Sequence, residues 1–392
     1  MRLAAPEDFG EFTRKHGVDF FPLRGDVQKV MASETGRKFM ETGGANPIRA
    51  IRAIRTLVGP IVVSMTDDAY TACRDTDAII CLGVLSAFGQ SVAEALGIPV
   101  LHVEPTPLLP TRAFPAPSWP IQRNLGGLHN YLSGRAMLHV IWLWYHPFVN
   151  DFRRRLGLQK LTATRFYRAL KSTPMLSAYS PTIIPPPADW PAQTQITGYF
   201  FLDDHVAWQP PPALTAFLEA GEPPVYIGFG SMAGRDPQHL ASLTLQALAE
   251  SGQRGILLTG WGGLRAEAVP ESVFVIDSAP HSWLFQHVSA VVHHGGAGTT
   301  AEGLRAGAPT VITPFVLDQP FWGARVAAMG LGPQPAPIKK LTAERLSNAI
   351  HRAVTDAGIK QRARLCGEAI RRETGVDNAV RIVRQYLGAP EG

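Results

Sequence analysis

The chain has 392 residues, a length that fits two domains of ordinary size better than one. Hydrophobic residues make up 45% and charged residues 18%, which excludes disordered and fibrous classes. The net charge of +5 suits an anionic ligand or a membrane surface but is too mild for nucleic acid, and no RNA- or DNA-binding signature accompanies it. Cys73, Cys81 and Cys366 lack metal or redox spacing and read as reduced, inert thiols. No signal peptide and no apolar run long enough to span a bilayer is visible. The expectation is a cytoplasmic protein with at most a peripheral membrane contact.

In chain order, the first half carries strand-like runs at 77–82 and 98–103, with a helix over 86–96 between them. Asp75-Thr76-Asp77 precedes a strand rather than following one, so it reads as a solvated loop and not as a metal site. The aromatic stretch 137–149, followed by Arg153-Arg154-Arg155, reads either as a helix packed in the core or as one wall of a pocket for an apolar substrate. A proline-heavy stretch from 181 to 224 reads as an interdomain linker, which places the boundary near residue 190. The second half has strand-like runs at 224–229, 255–259, 273–276, 290–293 and 309–313. The tail from 342 to 387 is helical. Strands alternating with helices predict an α/β fold of two Rossmann-like parallel-sheet domains facing a central cleft. The expected units are 1–190, 191–375 and a C-terminal helix over 376–392.

The most informative segment is His293-His294-Gly295-Gly296-Ala297-Gly298-Thr299-Thr300-Ala301-Glu302-Gly303. A buried strand, a glycine turn and a helix N-terminus form an anion site, because glycines let the backbone approach a ligand and the first helical N–H groups point at it unpaired. His294 adds a donor, and Glu302 lies one turn beyond Thr299 on the same face. A phosphate on the amides and a hydroxylated sugar on the carboxylate describe a sugar nucleotide. Asp318 and Gln319 follow the next strand and suit vicinal hydroxyls at the same crevice. Gly228-x-Gly230-x-x-Ala233 partly mimics a dinucleotide fingerprint, but no acid ends the following strand, which argues against a dehydrogenase.

Taken together, 294–302 and Asp318-Gln319 resemble the donor signature of the family 1 UDP-glycosyltransferases, which have the GT-B fold. The 278–285 run looks like the start of that signature, Gly228-Phe229-Gly230-Ser231 looks like its phosphate loop, and Thr111-Arg112-Ala113-Phe114-Pro115 is similar to sterol- and macrolide-type bacterial members. The resemblance implies that His294, Gly296, Gly298 and Thr299 meet the diphosphate, with Gly230 and Ser231 opposite them. It implies that Glu302 holds the ribose, that Asp318 and Gln319 hold the sugar, and that Ala279 and His281 lie beside the base. Ser278 stands where plant members carry a tryptophan that stacks on uracil. The implied reaction moves a hexose from a UDP-sugar to a hydroxyl of an apolar acceptor such as a sterol, macrolide or polyphenol. It proceeds with inversion and without a metal or other cofactor.

Residues 1–9 resemble the family's second strand and the segment after it. One strand–helix unit of roughly 25–30 residues is then unmatched, which predicts an unpaired sheet edge and an uncovered core face. That unit carries the family's base. Asp26, within Arg24-Gly25-Asp26-Val27-Gln28, and His102 and Glu104 near a strand end are the candidates in this sequence. The alternative reading is a nucleotide-sugar-binding or auxiliary protein with little turnover.

Overall fold

A computed structural model describes residues 1–25, 47–203, 208–230, 237–259 and 269–388. Asp26 and Ser231 lie outside the described residues.

The described strands form three sheets, all parallel. Among the described residues β1 (Arg2–Pro6) and β2 (Asp19–Leu23) pair with each other. β3 (Ile79–Leu82), β4 (Val100–Glu104), β5 (Met175–Ser177) and β6 (Thr194–Ile196) make a second sheet in that order. β7 (Val225–Gly228), β8 (Gly255–Leu258), β9 (Val273–Ile276), β10 (Ala290–His293) and β11 (Thr310–Ile312) make the third, ordered β11-β10-β7-β8-β9. Every residue of β7, β10 and β11 is buried, as expected for strands covered by helices on both faces. Glycines stop the covering helices: Ser86–Leu96 ends at Gly97 and Ala297–Ala306 at Gly307, both left-handed. Among the described residues no helix is long and apolar enough to cross a membrane.

The expected strands and the 86–96 helix are all present, and the tail folds as the helices Ala343–Thr355, Ala357–Arg371 and Gly375–Leu387. The aromatic stretch lies inside the long helix Gly127–Arg155, where Leu138, Trp142 and Val149 join the core around Phe88, Phe152 and Phe166. Trp142 stacks on Phe166 with ring centroids 5.2 Å apart, so these aromatics serve packing. Asp75 is not simply solvated, because Arg2 holds it at 2.7 Å.

The proline-heavy stretch departs from a plain linker. β6 falls inside it, beyond residue 190, and completes the first large sheet; the proline-free 193–196 leaves the ladder its N–H groups. The helix Pro212–Glu219 also falls inside it, starting at a proline where a missing N–H costs nothing. Tyr179, Ile183, Ile184 and Tyr199 are buried against Leu304, Ile312, Phe321 and Trp322, so this irregular chain is the core between the two halves. The C-terminal helix crosses back as well: Ala379 and Ile382 pack on Leu176 of β5, and Asn378 Nδ2 donates to the Thr197 carbonyl at 2.9 Å.

Among the described residues β3 ends its sheet on one side, and its Ile80 and Leu82 are 52% and 50% exposed, unusual for parallel-sheet side chains.

Candidate functional site

β7 is followed in sequence by β8 and β9 on one side, and the chain then returns to place β10 and β11 on the other. The switch point therefore lies between β7 and β10, where an open α/β sheet forms its ligand crevice beyond the carboxyl ends. His293 pairs with Gly228 in that register, so the loops carrying Gly230 and His294 emerge side by side. A Cβ added to Gly230 would lie 3.8 Å from the His294 ring.

The turn after β10 is built for close approach. Gly295 has φ of 92°, a left-handed conformation that favours glycine. Gly296 takes the N-cap position of Ala297–Ala306 and offers no side-chain cap, so the first helical N–H groups stay open to a ligand. Gly298 is exposed, and a Cβ built there meets nothing within 4 Å, so space lies directly over the helix start. Thr299 is half-buried beside it.

The two histidines play different parts. His293 is fully buried, and its Nδ1 accepts from the Gly295 N–H at 3.0 Å, which fixes the turn and places its proton on Nε2. His294 is half-buried, with its Nε2 tight against Gly296 and a buried Nδ1 that has no protein partner. Burial lowers the His294 pKa while the Asp318 carboxylate opposes the shift. Asp318 therefore lies within electrostatic reach of His294.

Asp318 begins the helix Gln319–Ala328, and its Oδ2 accepts from Trp322 Nε1 at 2.9 Å and Thr106 Oγ1 at 2.8 Å. The second bond ties the second half of the chain to the segment just past β4. Gln319 is buried, with Oε1 accepting from the Phe315 and Val316 amides at 2.8 and 3.1 Å, so its carbonyl end shapes the loop. Glu302 lies 3.9 Å from Arg305, which Asp203 holds at 2.6 Å.

His281 and Ala279 are placed more by the core than by an open surface. His281 Nε2 lies 3.0 Å from the Tyr226 hydroxyl, and its ring stacks on Phe285 at 4.6 Å. Burial pulls its pKa down to about 4. Ala279 packs against the same cluster.

On the other side of the crevice, Glu104 ends β4 with Oε1 buried against Gly83 and unpartnered, and burial pushes its carboxyl up to about 8. His102 is fully enclosed with both ring nitrogens unpartnered and is pulled down to about 4. Of these two, Glu104 lies nearer the crevice, two residues before Thr106. Sequence reasoning missed Thr106 and Trp322. The available signals were a threonine just past a strand end and a tryptophan four residues after Asp318 on one helix face.

Residues 257–379 match the erythromycin biosynthesis protein CIII-like C-terminal domain. The chain is similar to a sterol 3-beta-glucosyltransferase of Arabidopsis thaliana, 37% identical over 396 residues that cover 99% of this chain and 63% of that protein. It is 36% identical to a sterol 3-beta-glucosyltransferase of Aspergillus fumigatus, covering 98% of this chain and 28% of that protein. The chain thus spans less than two thirds of the length of these relatives. Among solved structures, the glycotransferase of kitacinnamycin aligns with a TM-score of 0.67 at 16% identity, covering 98% of this chain and 90% of that one. Glycosyltransferase VinC in complex with DTDP aligns at 0.62 and 17% identity, covering 98% and 92%. These likenesses assign the α/β architecture to the GT-B fold.

Proposed function

We propose that this chain, a member of the family 1 glycosyltransferases, moves a hexose from a UDP-sugar to a hydroxyl of a sterol-type apolar acceptor. One observation carries the reading. An uncapped helix N-terminus opens onto free space at Gly298, with the His294 ring beside it and its Nε2 against Gly296, at the switch point of the sheet. The names of the plant and fungal relatives support glucose and a sterol.

The diphosphate lies on the Gly298 and Thr299 amides and His294, Glu302 takes the ribose hydroxyls, and the sugar hydroxyls reach Asp318 through Oδ1. Displacement at the anomeric carbon inverts it while the nucleoside diphosphate leaves. The helix dipole and His294 stabilise the charge on the departing phosphate, each helix-end contribution being on the order of 0.3–2 kcal/mol. No step calls for a metal, because the protein's own groups supply that charge. Glu104 in its ionised form accepts the acceptor's hydroxyl proton; burial raises its carboxyl to about 8, which leaves a minor ionised fraction near neutral pH and makes that fraction a stronger base.

His294→Ala is expected to weaken UDP binding more than uridine binding by calorimetry, since its contact is to phosphate. Equal losses would count against the site. Glucose transfer from UDP-glucose to a sterol tests the reaction. UDP binding with no turnover would favour the second reading, a donor-binding protein.

A further inference from the structure

We propose that the surface formed by residues 121–135 docks on an anionic phospholipid membrane. The polarity of the first turns of Gly127–Arg155 is inverted relative to a soluble surface helix. Asn130 and Ser133 are buried, Asn130 Nδ2 donating to the Arg112 carbonyl at 3.0 Å and Ser133 Oγ accepting from the Ala116 amide at 2.9 Å. Gly134 seats against Pro110. The apolar residues face outward instead: Leu128 is 65% exposed and Leu132 55%, with Leu125 at 53% and Ile121 at 49% on the approach to the helix. Leu128 and Leu132, four residues apart, form a stripe on one helix face, and Leu125 leads into it.

Charge identifies the occupant. Between Glu104 and Asp151 the sequence contains no aspartate or glutamate, while Arg123 and Arg135 flank the leucine stripe in exposed positions. Exposed leucines bordered by arginines and free of acid match an interface of acyl chains beneath negative headgroups. A protein partner would be expected to meet some acidic rim.

The surface belongs to the segment that begins at Thr106, the residue reaching Asp318. A membrane-dissolved acceptor would therefore arrive beside the crevice; this purpose rests on the transferase reading, whereas the docking does not.

Co-sedimentation with vesicles of phosphatidylcholine, with and without phosphatidylglycerol, tests the proposal. The chain is expected to partition onto the doped vesicles and to come off as salt is raised. A Leu128→Ser/Leu132→Ser double variant and an Arg123→Glu/Arg135→Glu double variant are each expected to lose about tenfold in partition. UDP titration of both variants confirms that they are folded. No partition onto doped vesicles, or equal partition of variants and parent, would overturn the docking. So would concentration-dependent self-association abolished by the leucine variant, which would make a second copy the occupant. Turnover of a cyclodextrin-carried sterol separates the two ideas: vesicle binding without turnover leaves the docking standing and removes the transferase reading.

Discussion

Leu317 holds φ at 59°, a left-handed conformation that costs a non-glycine residue roughly 1–2 kcal/mol. It is more than half exposed, so little packing compensates it. Its neighbours hold it there, Gln319 by gripping the Phe315 and Val316 amides and Asp318 by gripping Trp322 and Thr106. Strain immediately before the Asp318 carboxylate has the form of a residue posture kept for a site. Leu317→Asn, which tolerates the same conformation, is expected to stabilise the fold by about 0.5–1 kcal/mol in thermal melts. A lowered melting temperature would show that the leucine earns its place by contact.

At the scale of elements, the strand–turn–helix unit from β10 through Ala297–Ala306 depends on one backbone position. A Cβ on Gly295 would lie 2.7 Å from Ile312 Cγ2 and 3.2 Å from the Gln319 carbonyl oxygen, at a φ of 92°. Gly295→Ala is therefore expected to destabilise by about 2–3 kcal/mol and to weaken UDP binding with it, as read by denaturant melts and calorimetry. Units of this kind were legible in the sequence. β9 and β10 fall on the expected residues because short β-branched runs between turn residues have few alternatives as buried strands. Glycine stops placed the ends of the helices. What escaped was tertiary. Nothing periodic marks 179–201 as core, since irregular chain buries side chains without a repeat. The side chain of His281 could not be assigned to Tyr226 and Phe285 from spacing alone, because 55 residues separate it from the tyrosine. Thr106 and Asp318 stand 212 residues apart.

For the whole molecule, buried titratable groups set the pH range of stability. His102 and His281 are pulled down to about 4 from an ordinary value of 6.5, so the unfolded chain takes up protons first as pH falls. Their contribution is complete above 6.5 and disappears as pH drops towards 4. Glu104 acts in the opposite direction. Raised from 4.5 to about 8, it favours the folded state fully below 4.5, and that contribution is lost as pH rises through 8. Thermal melts across pH are expected to peak near neutrality and fall on both sides. Glu104→Gln is expected to flatten the alkaline fall while abolishing transfer; an unchanged alkaline limb would place the titration elsewhere.

Two donors, one from each half of the molecule, converge on a single oxygen of Asp318. Any ligand that draws that carboxylate away from Thr106 loosens the seam between the halves, and any ligand that engages the Thr106 hydroxyl frees that carboxylate oxygen for another partner. The two occupancies are then thermodynamically linked, and the linkage is reciprocal by necessity. Each half can tune the affinity of a ligand that binds the other.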